Sequence, residues 1–206
     1  MLHPKEDVLS LIESRLDRYQ PRTICHERPQ AGVLLALTDD PIDPRVILTL
    51  RAHTLSSHQG EVAFPGGKMD KGDLSIEVTA LREAHEEIGL HPSDVRVVSQ
   101  LAQCVSKHGL LVTPFVGIVS DQQEFVANPD ELHSVFSVPL RFFLDPDELS
   151  YDEFHHQGAL MRMPCYHYQQ YRIWGLTAYI LVELLNYGLG AKIPLQSRPK
   201  MNNKEG

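Results

Sequence analysis

Residues Gly66–Leu90 read GGKMDKGDLSIEVTALREAHEEIGL: paired glycines, a polar loop, then an amphipathic run that stops at Gly89. An α-helix turns about 100° per residue. Glu83, Glu86 and Glu87, offset by three and four, therefore share one helical face. Carboxylates crowded in this way repel unless a cation lies between them, and hard oxygen donors suit Mg2+ or Mn2+ better than the soft ligands that select zinc. A run of acids on a helix is more often a solvated face than a site. The setting argues otherwise: Gly66 and Gly67 allow a tight turn ahead of the helix, Arg82 precedes the first carboxylate, and Gly89 stands where a helix ends on a left-handed residue.

Outward from this stretch, the chain reads as one domain over its 206 residues, with no repeat and no low-complexity linker. A formal net charge of −8 without a lysine or arginine cluster argues against nucleic acid and against an anionic membrane surface as partners. Phosphate ligands stay open, because cations bridge an acidic site to an anion. Cys25, Cys104 and Cys165 are odd in number and widely spaced, so neither a disulfide framework nor a Cys-rich metal site is expected. Lys5, Glu6 and Asp7 precede any apolar stretch, and no apolar run approaches the roughly 20 residues a membrane helix needs. A cytoplasmic, reducing setting is the expectation.

Val8, Leu9, Leu11, Ile12 and Leu16 recur at helical spacing up to Pro21 and predict an amino-terminal amphipathic helix within an extension over residues 1–29. Ala31–Leu37 and Arg45–Leu50, separated by DDPIDP, predict a hairpin. Val95–Val105 and Leu110–Val119 are further strand candidates. Arg172–Tyr187 carries an apolar stripe of Ile173, Leu176, Ile180, Leu181, Leu184 and Leu185, and predicts a core helix before Gly188, with residues 190–206 as a tail. The two apolar terminal helices make a homodimer one expectation.

Gly66–Leu90 resembles the box of the Nudix hydrolases, a glycine, five residues, a glutamate, seven residues, then REUxEExGU with U aliphatic; here the end reads REAHEEIGL. Asp73 stands in place of the glutamate, with eight residues before Arg82, so the loop is longer by one. Ahead of the box, LTLRAHTLSSHQGEVAFPGG (residues 48–67) resembles the added signature of the coenzyme A diphosphatase branch, except that Ser56 replaces an arginine. The stretches 106–117, 128–143 and 173–181 are similar to the same branch, so the resemblance runs over about residues 30–185.

The resemblance implies an α/β fold, the Nudix α/β/α sandwich with a mixed β-sheet, plus amino- and carboxyl-terminal helices. It also implies hydrolysis of the diphosphate of coenzyme A, or of its oxidised or acyl derivatives, to 4′-phosphopantetheine and adenosine 3′,5′-bisphosphate. Under it Glu83, Glu86, Glu87 and a backbone carbonyl of the Gly66–Gly67 turn, at Gly67, hold the cation. Arg82 orients a box carboxylate, and Asp73 closes or caps the loop. The general base is Glu86 or, from outside the box, Glu131. Arg51, His58 and Lys107 are the candidate contacts to substrate phosphates. Two alternatives remain: a diphosphatase for another nucleoside diphosphate linked to a second group (ADP-ribose, a dinucleotide or a nucleotide sugar), kept open by Ser56, and a noncatalytic nucleotide-binding regulatory module.

Overall fold

The computed structural model describes residues 7–25, 27–52, 60–156 and 159–195. In chain order it runs α1 (Val8–Leu16), β1 (Gln30–Thr38), β2 (Arg45–Arg51), β3 (Val62–Ala63), β4 (Gly66–Lys68), α2 (Ile76–Ile88), β5 (Arg96–Gln100), β6 (Cys104–Val105), β7 (Leu111–Val119), β8 (Leu132–Pro139), β9 (Leu149–His156), β10 (Ala159–Tyr168), β11 (Tyr171–Trp174) and α3 (Gly175–Leu184). β1 to β8 form a mixed sheet, and β9 to β11 a second, antiparallel one.

The hairpin predicted from DDPIDP is present, but its strands splay. β1 and β2 pair at Leu37↔Val46. Further along, the same edge of β1 takes β4, with Gly32 opposite Gly67 and Val33 opposite Gly66. The corresponding edge of β2 takes β3. Residues 62–68 thus fill a wedge between two diverging strands, and the paired glycines lie inside it. β7 runs parallel to the other edge of β1 along its whole length, and β8 runs antiparallel to the other edge of β2.

Alternation along β1 separates two cores. Leu35 and Leu37 pack with α1 and α3, whereas Leu34 and Ala36 pack with Ala80, Ala84 and Ile88 of α2. Helices therefore cover both faces, the expected α/β/α sandwich. Both ends of α2 are fixed locally: the Ser75 side chain caps the start by accepting from the Val78 amide, and Gly89, at φ 70°, ends it in the left-handed region. Gly32 lets the helix lie against the sheet, since a Cβ there would come within 2.4 Å of the Ile76 carbonyl.

Two expectations change. Val95–Val105 is two strands rather than one, because the Ala102 and Gln103 amides leave the sheet to donate to the buried Glu183 carboxylate and the Arg22 carbonyl. Residues 172–174 are strand, not helix: Tyr171–Trp174 pairs with β10, and α3 begins at Gly175, at φ 62°. The second sheet was not anticipated; it docks through Tyr166 against Phe143 and through Tyr171 stacked on Phe136 at 3.6 Å. Cys25, Cys104 and Cys165 are in no disulfide; Cys25 is exposed and the other two are buried. Among the described residues no helix is long and apolar enough to cross a membrane.

Candidate functional site

The wedge between β1 and β2 brings the acidic helix against the glycine turn. Glu83 lies on Gly67 so closely that a Cβ at Gly67 would be 2.3 Å from its carboxyl carbon. Glu87, one turn on and 3 % exposed, accepts the Gly66 N–H at 3.0 Å and faces the Arg51 guanidinium at 3.5 Å. These two inward carboxylates are where the helix meets the turn. Glu86 differs: it is 51 % exposed and its Oε2 lies 2.8 Å from Arg82 Nη1. The three acids thus divide into the buried Glu87, the part-buried Glu83 and the exposed rim residue Glu86.

Arg82 is the hub of the loop. Its Nε and Nη2 each lie 3.0 Å from the two oxygens of Asp73, and Nη2 also reaches Glu83 at 3.0 Å and the Lys68 carbonyl at 3.2 Å. Asp73 in turn accepts from the Asp70 amide and the Thr79 hydroxyl. The guanidinium beside it, with those added bonds, holds its carboxyl well below the usual range. Asp73 therefore closes the loop, while the helix cap proper belongs to Ser75.

Glu131 arrives by backbone hydrogen bonding. The Val126 and Asn128 amides donate to the carbonyls of Ile88 and Glu87, satisfying acceptors that the end of α2 leaves open. The Glu131 carbonyl then accepts the Ala52 amide, tying the segment to the end of β2 beside Arg51. The Asn128 side-chain amide lies 3.4 Å from the Glu131 carboxylate. Sequence reasoning missed Asn128; its only sequence signal is a polar residue three positions ahead of Glu131.

Electrostatics bind these acids into one site. Burial pushes the Glu87 carboxyl up to about 7, against the opposing pull of the Gly66 N–H and Arg51, with Glu131 and Glu83 adding repulsion. Burial also raises Glu83, offset by Arg82 and reinforced by repulsion from Glu86 and Glu131. Among the described residues no three acidic, histidine or cysteine side chains close around one point as they stand: Glu83 and Glu86 turn to Arg82, and Glu87 to Gly66. The donor set nevertheless fits a hard divalent cation, being all carboxylate and mutually repelling, with the half-exposed Glu86 held only by Arg82.

Of the phosphate contacts expected, Arg51 lies at the site. Its Nε is buried without a hydrogen-bond partner among the described residues, so the guanidinium retains donor capacity beside Glu87. Lys107 sits in the turn before β7 and pairs with Glu61 at 2.9 Å. His58 and Ser56 lie outside the described residues.

Comparison with known proteins places this arrangement. The NUDIX domain model matches residues 27–161, which contain Arg51, Asp73, Arg82, Glu83, Glu86, Glu87, Lys107 and Glu131. The chain is 42 % identical over 164 residues to the Nudix hydrolase NudL of Photorhabdus laumondii, itself described as uncharacterized, covering 80 % of this chain and 87 % of that one. It is 42 % identical over 174 residues to the mitochondrial Nudix hydrolase 15 of Arabidopsis thaliana, covering 81 % of this chain but 59 % of that protein. The solved Nudix hydrolase RenU of M. smegmatis shares the fold, with a TM-score of 0.53 at 22 % identity over 83 % of this chain and 91 % of that one. A glycine turn, an acidic helix and an arginine hub seated in this sheet, within a family match that covers most of the chain, show that the protein belongs to the NUDIX domain family.

Proposed function

We propose that the protein hydrolyses the diphosphate linkage of coenzyme A to 4′-phosphopantetheine and adenosine 3′,5′-bisphosphate. Nudix hydrolases act on diphosphates of nucleosides linked to a second group and use divalent cations such as Mg2+ or Mn2+. Glu83, Glu86, Glu87 and the Gly67 carbonyl hold the cation, which when bound neutralises the diphosphate oxygens and supports the attacking water. Arg51 and Lys107, with His58, bind the substrate phosphates. Arg82 positions Glu83 and Glu86 while Asp73 positions Arg82. Glu131 takes the proton from water: its charge bears on both Glu83 and Glu87, whereas Glu86 is engaged with Arg82.

The observation that carries hydrolysis is the packing of Glu83 and Glu87 on the Gly66–Gly67 turn beside Arg51. The choice of coenzyme A is supported by the likeness of residues 48–67 to the coenzyme A diphosphatase signature. Ser56, where that signature has arginine, favours a second reading in which another nucleoside diphosphate, such as ADP-ribose, is the better substrate. Hydrolysis in 18O-labelled water, with the products identified by mass spectrometry, tests both: the first reading expects the two named products with 18O in one phosphate. Turnover of coenzyme A no faster than of ADP-ribose would reject it.

A further inference from the structure

Asn128, Pro129, Asp130 and Glu131 put an asparagine and a proline at the first two positions of a turn, where both are favoured. The turn forms: the Asn128 carbonyl accepts the Glu131 amide at 3.1 Å and the Leu132 amide at 2.8 Å. Its start is fixed to the acidic helix, since the Asn128 amide donates to the Glu87 carbonyl at 2.8 Å and the preceding Phe125 and Ala127 pack into the core beneath α2. Its end is fixed to β2 by the Ala52 amide on the Glu131 carbonyl at 2.9 Å. The Glu131 backbone is thus placed from Glu87, the residue whose own carboxylate accepts the Gly66 N–H. Backbone bonds leave the Glu131 side chain its rotamer freedom, and a base works only when that freedom is removed in the right direction.

The Asn128 side chain supplies the missing restraint. Its Oδ1 accepts the Asp130 amide at 3.1 Å, which fixes which end of the side-chain amide is oxygen. The Nδ2 end is therefore turned away from the turn, and it lies 3.4 Å from Glu131 Oε1. An aspartate would close the same turn, but it would set a second negative charge against Glu131. The donor end thus has no use in the turn itself. Because it engages Oε1, the Glu131 Oε2 is left without a hydrogen bond among the described residues.

We propose that Asn128 is a positioning residue for the hydrolysis: its amide holds Glu131 Oε1 and so aims the free Oε2 at the attacking water, an assignment that rests on Glu131 being the base. Oε2 then takes one proton of that water as the water oxygen bonds to phosphorus, and the bond from phosphorus to the bridging oxygen breaks, its electron pair leaving with the departing phosphate. Asn128 touches neither substrate nor water. It acts through Glu131, and its backbone bond to Glu87 sets the base in register with the carboxylates of α2.

The experiment measures kcat, KM and Tm of the full-length protein, using whichever of coenzyme A and ADP-ribose it turns over faster, so that the choice of substrate does not enter. Asn128→Asp and Asn128→Ser each keep an acceptor for the Asp130 amide and lose the donor toward Glu131, the first adding a charge and the second none. Each is expected to lower kcat about tenfold, the worth of one hydrogen bond to a charged group, with KM within about twofold of the parent and Tm unchanged. Glu131→Gln is expected to lower kcat at least about 10²-fold, and adding Asn128→Ser to it to lower kcat no further. Parental kcat in Asn128→Ser, or the same fold loss with and without Glu131→Gln, overturns the positioning role and leaves Glu131 as the base. A lowered Tm with kcat per folded molecule unchanged also overturns it, assigning the side chain to the turn alone. Parental kcat in Glu131→Gln removes Glu131 as the base, and the positioning role with it.

Discussion

Asp73 and Arg82 meet through two parallel hydrogen bonds of 3.0 Å, and Arg82 passes that order to Glu83 and Glu86 on either side. Aspartate is one methylene shorter than glutamate, and the loop is one residue longer than the family pattern. The Asp70–Asp73 turn, closed by the Asp73 amide on the Asp70 carbonyl, brings the shorter carboxylate into reach.

Asp73→Ala removes the acceptor of the Asp70 amide and of one edge of Arg82, and leaves the Thr79 hydroxyl only the Ser75 carbonyl at 3.3 Å. The expected loss is about 1–3 kcal/mol of folding stability, read from urea unfolding, together with a kcat/KM deficit of at least about tenfold. Because the Asp73 carboxyl is lowered in the folded state, its stabilisation is present above pH 3.8 and lost as pH falls below it. Asp73→Asn should therefore unfold with a shallower acid limb than the parent. An unaltered acid limb would show that the pair contributes nothing.

Glu86→Gln and Glu87→Gln each remove a charge without changing shape. Each should lower kcat by at least about 10²-fold, the scale of lost acid–base or electrostatic catalysis, with circular dichroism unchanged. Full activity in either variant would exclude that residue from the chemistry.

Glu87 also sets a pH dependence of stability. Its folded value of about 7 exceeds the ordinary 4.5, so the benefit of its protonated form is complete below 4.5 and disappears as pH rises through 7. In chelator-treated protein, Glu87→Gln should melt higher than the parent at pH 8 and equal to it near pH 4.5. Mg2+ should then raise the parent Tm at pH 8 more than that of the variant. A pH-independent difference between the two would contradict the buried, charge-disfavouring setting.

At Gly67 the first atom of any side chain collides with the Glu83 carboxylate, whereas at Gly32 it collides with the backbone of α2. Gly67→Ala should depress activity at least about tenfold by displacing a catalytic group, with a small change in Tm. Gly32→Ala should cost about 1–3 kcal/mol by overpacking. Reversal of that order would mean the glycines have been assigned the wrong jobs.

The noncatalytic module considered from the sequence makes a different forecast: nucleotide binding with no metal-dependent product. Product formation that requires Mg2+ or Mn2+ and is lost in Glu87→Gln decides against it.

The sequence by itself determined the local pieces: the acidic helix ending at Gly89, the glycine turn ahead of it, the hairpin at DDPIDP, and the acids at positions 83, 86 and 87. Each follows from short-range rules, namely capping, helical period and turn chemistry, that need no distant partner. Tertiary structure decided how those acids divide. Helical spacing places all three on one face, but burial of Glu87, support of Glu83 by Gly67 and exposure of Glu86 depend on where β1 and β2 splay, a matter of long-range pairing. The same holds for Glu131, carried in by backbone bonds to the end of α2, and for Ile173, whose apolar neighbours match a helix and whose pairing with β10 makes it strand. Periodicity records which side of an element is apolar; only the packed sheet determines what that side touches.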